Sequence, residues 1–383
     1  MIKNRHIYQL QWLLCSILTM LFSACSSSDA EVGDTHKQAK LAIYVYAPEQ
    51  AAQTRADVGE VDPITDEGTI KSLQIWIYES VSGAYVGYFI TSDVAALNEG
   101  QGTTYQLPVS DDFANRKPNV DVYVLANVKA ANCGVSTLNE ETSRANLMTG
   151  ARIASDHFGL GDLVKNVPDE GLPMTGMLTT KPVVGEAPAL RVGSMSAVST
   201  VQLTRAVSKL RFVFAKTENQ PKVTITSIKM NAGMIPDVEY FFDKTQALTY
   251  NTSAGELLSL TIDDIAETAD PTNYLYLGQE AQAYENLINE AANKQEPEKP
   301  EVTVYGPIYL RESDERLAGK ITYTIGEGTE QTADFQMQQA GDFNRNHTWI
   351  VYAYYAGSGN LHVQTIYVKN WSNREISHEL YNW

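Results

Sequence analysis

Apolar and polar positions alternate with period two along most of this chain. Leu41-Ala42-Ile43-Tyr44-Val45-Tyr46 reads as a strand, with Leu41, Ile43 and Val45 on one face. Leu73-Gln74-Ile75-Trp76-Ile77-Tyr78 repeats the pattern. So do Val120 to Leu125, Leu210 to Phe214, Val223 to Ile228, Tyr274 to Leu277, Ile321 to Ile325 and Trp349 to Tyr355. β-Branched and aromatic residues in such alternation fit a half-buried pleated surface. Turn-forming residues separate the runs, at Ser82-Gly83, Asn98-Glu99-Gly100, Gly326-Glu327-Gly328 and Gly357-Ser358-Gly359-Asn360. Helical periodicity is confined to Leu138 to Leu147 and Ala281 to Asn293. The pattern predicts a mostly β protein of sandwich type.

The first residues follow another rule. Lys3 and Arg5 precede an apolar run from Leu13 to Phe22, which ends in Leu21-Phe22-Ser23-Ala24-Cys25. The run is too short to span a bilayer, which takes about 20 apolar residues. Its basic start and small-residue end are those of an export signal. A cysteine at that point predicts a lipoprotein signal over residues 1–24 and acylation of Cys25, with a departure at Phe22, where Leu is usual. The competing reading is an ordinary secretory signal with an incidental cysteine. Ser26 to Asp34 is then a short polar, acidic tether, either a plain linker or a surface-export signal.

Composition narrows the function classes. The 383 residues leave room for two domains of ordinary size after the signal. A formal net charge of -17 argues against nucleic acid and anionic lipid as partners. Beyond Cys15 and Cys25 only Cys133 remains, too few for an internal disulfide. We read Cys133 as a small structural residue, since no Cys/His motif surrounds it. No histidine stands in a metal-ligand spacing, Gly193-Ser194-Met195-Ser196 is no nucleophile elbow, and no phosphate loop occurs. The pairs Asp111-Asp112 and Asp263-Asp264 read as solvated turns, with weak calcium binding as the alternative. Neither a metal, nor a cofactor, nor a catalytic residue is expected.

Between the first two strands, Pro48 to Pro63 carries no apolar period. Arg55 is the sole basic residue between Lys40 and Lys71. Such a segment offers an arginine-specific protease one target, the Arg55–Ala56 bond; an uncut loop is the alternative. The chain's end alternates again at Leu361, Val363, Thr365 and Tyr367. Val368, Trp371, Ile376, Leu380, Tyr381 and Trp383 then supply apolar anchors. We expect 361–370 in the home sheet and 371–383 available to a partner.

These signatures together resemble the fimbrillins, the subunits of the type V pili of Bacteroidales. The resemblance is carried by the cysteine at 25, the first strand followed by Thr54-Arg55-Ala56, and Leu73-Gln-Ile-Trp-Ile-Tyr78. It continues through Val122-Tyr-Val-Leu-Ala-Asn127, Gly171-Leu-Pro-Met-Thr-Gly176, Leu203-Thr-Arg-Ala-Val-Ser-Lys-Leu210, Ile308-Tyr-Leu-Arg-Glu-Ser313, Asn344-Arg-Asn-His347 and Val368-Lys-Asn-Trp371. It implies two transthyretin-like, Greek-key β-sandwich domains in tandem, over 56–203 and 204–383, with few short helices. It implies a non-enzymatic pilus subunit made as an outer-membrane, palmitate-bearing lipoprotein and displayed at the cell surface. Residues 25–55 would leave as a propeptide on cleavage after Arg55, taking the strand of Leu41, Ile43 and Val45. A donor strand of a neighbouring subunit, drawn from Val368, Trp371, Ile376, Leu380 and Trp383, would fill the gap by donor-strand exchange. The implied partners are copies of the chain, anchor and tip subunits, an arginine-specific protease and an adhesion receptor. Lipid-retaining anchor and tip subunits are the alternative roles, and a surface glycan-binding lipoprotein is a third. The cut would leave the net charge near -18, so cohesion would come from strand complementation.

Overall fold

Apolar alternation of this kind drives strands into stacked sheets, each burying one face against the next. The computed structural model describes residues 39–46, 67–98, 102–135, 138–154, 156–184, 189–192, 201–337 and 339–368. Its first eleven strands are β1 (Lys40–Tyr46), β2 (Leu73–Glu79), β3 (Tyr85–Thr91), β4 (Thr103–Pro108), β5 (Val120–Ala126), β6 (Arg152–Ile153), β7 (Met174–Thr180), β8 (Val183–Val184), β9 (Ala189–Val192), β10 (Val201–Gln202) and β11 (Thr204–Arg205). Ten more follow: β12 (Val207–Thr217), β13 (Val223–Met230), β14 (Glu239–Tyr240), β15 (Gly255–Glu256), β16 (Glu267–Thr268), β17 (Thr303–Arg311), β18 (Ala318–Ile325), β19 (Gln331–Gln336), β20 (Thr348–Tyr355) and β21 (His362–Val368).

They build two sandwiches. In the first, β4, β1, β9, β10 and β8 face the sheet β11-β7-β5-β2-β3. Leu41, Ile43, Leu73, Ile75, Ile77, Leu107, Val122 and Val124 fill the space between. In the second, β16-β12-β20-β21, with β17 also on β12, faces β15-β13-β18-β19. Leu210, Phe212, Phe214, Ile228, Tyr323, Phe335 and Trp349 form that core. The mostly β sandwich architecture with few short helices is therefore present. The path from the first sandwich to the second runs through β10, β11 and β12 in turn.

Each sandwich has one sheet covered on its outer side as well. Helix α1 (Arg144–Gly150) and neighbouring loops cover Trp76, Tyr78 and Tyr123, in a cluster that also takes Val207, Phe241 and Tyr309 from the second half. Helix α2 (Ala281–Ala292) covers Val213, Ile350, Tyr352 and Ile366. Buried on both faces, β5 reads as a near-continuous apolar run, whereas β12 carries buried Ser208, Lys209, Arg211 and Lys216 among its apolar residues.

Several elements differ from the sequence reading. The strand expected at Tyr274 to Leu277 is a 3-10 turn over Pro271–Tyr274 followed by irregular chain. Asp270 caps the turn by accepting from the Thr272 N–H, and Pro271 sits at its first position. The helix expected from Leu138 begins only at Arg144, where Ser143 accepts from the Asn146 N–H. Upstream, Asn139 and Thr142 close a turn instead. β3, β7 and β17 escaped the alternation because each holds an internal glycine. In β17 this is Gly306, opposite a bulge between Leu210 and Phe212. Its φ of 110° and the Leu210 carbonyl, 2.9 Å from where a Cβ would lie, leave no room for a side chain.

Candidate functional site

β1 is paired along both edges. Its six residues Lys40 to Val45 form an antiparallel ladder with β4, from Lys40↔Pro108 to Val45↔Thr103. On the other edge Lys40 to Ile43 pair in parallel with β9, and Val45 and Tyr46 with β10. The ladder is extended at its ends, where the Ala39 carbonyl accepts from Val109 and the Tyr46 carbonyl from Leu203.

Leu41, Ile43 and Val45 are wholly buried, as the alternation predicts. The opposite face carries Tyr44 and Tyr46, both half-buried. Burying three such aliphatic side chains contributes about 5–9 kcal/mol. Lifting β1 out would leave β4 separated from β9 and β10 by two ladder spacings, roughly 9.5 Å. The result would be a strand-wide slot with unpaired N–H and C=O groups on both walls and an apolar floor. The shape and pairing groups of such a slot are complementary to a strand with alternating apolar side chains.

The chain re-enters the described region at Glu67, which is buried. Its Oε1 accepts from the Tyr309 hydroxyl at 2.6 Å, and Lys209 Nζ lies 3.1 Å from its Oε2. The Arg205 Nε donates to its carbonyl at 2.9 Å. Burial lowers the Arg205 pKa, and burial together with Glu67 raises that of Tyr309. Sequence reasoning missed Glu67. Its partners were visible as charges inside the apolar run of β12 and within the signatures 203–210 and 308–313.

At the far end β21 is the last strand of its sheet, paired antiparallel to β20 from His362↔Tyr354 to Val368↔Thr348. Val368 is thus its last paired residue. Cys25, Arg55 and Ala56, with Trp371, Ile376, Leu380 and Trp383, lie outside the described residues.

Other chemistry is sparse. Cys133 is fully buried, and burial pushes its thiol well above the ordinary range. Asp263 and Asp264 pair with Lys222 and Lys216, and Asp112 with Arg116. His347 Nδ1 sits 2.8 Å from the Arg345 carbonyl, a loop hydrogen bond ahead of β20. Among the described residues no group of three or more His, Cys, Asp or Glu could hold a metal.

Comparison with known proteins fits this geometry. The model of a family described as "Major fimbrial subunit protein (FimA)" matches residues 39–231, half of the chain, starting one residue before β1. No curated protein matches. Among solved structures, the tip fimbrial protein Mfa3 of Porphyromonas gingivalis, with a C-terminal truncation, is 12% identical. The match covers 87% of this chain and 99% of that one, with a TM-score of 0.47. A fimbrial assembly protein of Parabacteroides distasonis is 13% identical over 86% of this chain and 95% of its own, with a TM-score of 0.43. At those scores the structural likenesses carry no weight, and the assignment rests on the family model. This chain is a fimbrial subunit, a non-enzymatic part of a cell-surface appendage that meets other fimbrial subunits, and it belongs to the FimA major fimbrial subunit family.

Proposed function

We propose that the chain is a stalk subunit, exported as an outer-membrane lipoprotein acylated at Cys25 and cut between Arg55 and Ala56 by an arginine-specific protease. The cut releases 25–55 with β1, leaving domains over 56–203 and 204–383. The emptied slot takes a donor strand from the next subunit, drawn from the tail that leaves Val368 and carries Trp371, Ile376, Leu380 and Trp383. Copies joined in this way form a homopolymer, with anchor and tip subunits at its ends and adhesion as its task.

One observation carries this reading. The first strand of the fold is an interior strand, paired along both edges and buried through Leu41, Ile43 and Val45. Its covalent tie to the rest is the segment 47–66, which holds Arg55. A single cut there converts a complete sandwich into one lacking an interior strand. Main-chain pairing on two walls then supplies affinity, and the apolar floor supplies register.

N-terminal sequencing of the assembled surface form tests the proposal. A start at Ala56 is expected, and a blocked, lipidated Cys25 on the polymer would overturn it in favour of an anchor. Deleting Asn370 to Trp383 leaves β21 whole and should abolish polymer while keeping the fold. Unchanged polymer formation would exclude that tail as donor.

A further inference from the structure

Residues 67–72 lie across both sandwiches. On the side of the second, Glu67 is held by Lys209 of β12 and Tyr309 of β17, and its carbonyl by Arg205 of β11. Lys209 Nζ also lies 3.8 Å from Glu285 on α2, which meets Arg211 at 3.4 Å. On the side of the first, Asn98 takes both backbone groups of Ile70, accepting from its N–H at 2.7 Å and donating to its carbonyl at 2.8 Å. Asn127 accepts from the Lys71 N–H at 2.7 Å and donates to the Thr69 carbonyl at 2.8 Å. Asn127 is itself fixed, with φ at 61° and its carbonyl accepting from Asn132 at 2.6 Å.

The attachment of β1 is of another kind. Among the described residues it is held by backbone ladders and by side chains in one core, with no ion pair. A ladder opens from one end, pair by pair. The Glu67 attachment is a buried, charge-assisted junction, and such bonds are about twice as strong as neutral ones.

We propose that Glu67 is a positioning residue for assembly: it fastens 67–72 across both sandwiches, so that a cut in 47–66 frees β1 while the chain from Glu67 onward stays folded. The inference rests on the proposed processing. It makes Glu67 the stop that limits the opening to one strand, and so keeps β2, in the facing sheet that supplies Leu73, Ile75 and Ile77 to the slot floor, in place for a donor.

Amide hydrogen exchange read by mass spectrometry tests this on the full chain, intact and after limited trypsin treatment. In the wild type, exchange over 67–72 should be slow in both forms, while the peptide 40–46 is lost after the cut. Glu67→Gln keeps the shape and removes the charge, so exchange over 67–72 should rise about tenfold or more, most of all after the cut. Tyr309→Phe, which removes one donor, should give a smaller rise. Peptides from β20 report global stability and should not change. The proposal is overturned if Glu67→Gln leaves 67–72 as protected as in the wild type, if the cut wild type loses that protection, or if β20 loosens in step. Failure to cut within 47–66 would count against the processing reading alone, and the intact-chain comparison would still decide whether Glu67 holds the strap.

Discussion

Replacing Ile43 by alanine separates the precursor from the assembled form. Ile43 is fully buried at the centre of β1, its backbone opposite Tyr105 on one edge and Val192 on the other. Because both neighbouring strands hold the backbone in place, the site cannot collapse onto the missing atoms. Truncations of this kind cost 2–5 kcal/mol. Taking about 3 kcal/mol, the equilibrium between strand in and strand out shifts roughly a hundredfold. The uncut chain should melt about 5–10 °C lower than the wild type. If β1 leaves on processing, as proposed, the assembled polymer should melt where the wild-type polymer does. Release of β1 after protease treatment should also be faster, followed by loss of the 40–46 peptide on size exclusion. Equal destabilisation of precursor and polymer would refute the reasoning, since it would mean that β1 stays in its sheet.

Other outcomes follow from the same structure. Burial pushes the Glu239 carboxyl up to about 8, against Arg345 at 2.9 Å; its ordinary value is 4.5. Between those values the folded chain binds more protons than the unfolded one, so this group's contribution to stability falls as pH rises. Relative to Glu239→Gln, the wild type should lose on the order of 1–4 kcal/mol between pH 5 and pH 8.5 in urea titrations; no relative loss would refute this. Cys133 should resist alkylation in the native chain and label fully on denaturation, read by peptide mass spectrometry, and rapid native labelling would contradict its burial. Gly306→Ala should cost about 1–3 kcal/mol, seen as a lower thermal midpoint, because its φ and the Leu210 carbonyl exclude a Cβ; an unchanged midpoint would contradict it.

Strands were legible where a clean alternation met one core. Leu73, Ile75 and Ile77 face the first sandwich as their spacing predicts, and β1 shows the same rule. The second layer was not legible. Trp76 and Tyr78 look like solvent-facing residues in the alternation, yet α1 and its loops cover them. The slot itself was half visible: alternation marks the inward face of β1, but its pairing on two edges depends on β9 and β10, about 150 residues away along the chain. Glu67 was invisible for the same reason. Its partners Lys209 and Tyr309 stand 142 and 242 residues from it, and a lone glutamate beside an aperiodic segment gives no sign of burial. Asp270-Pro271-Thr272 misled in the opposite sense. Local capping chemistry there overrode the aromatic alternation of Tyr274 and Tyr276.

The apolar cluster that takes Trp76 and Tyr123 from one half and Val207 and Tyr309 from the other has a mechanical consequence. A dense core shared by both sandwiches resists bending between them, so the subunit transmits load as one stiff link. In a fibre built from such links, compliance would reside at the joints between copies. If copies join by donor-strand exchange, as proposed, flexural rigidity would be set by the fit of one strand in its neighbour's slot, and substitutions on the slot floor would tune the stiffness of the whole filament.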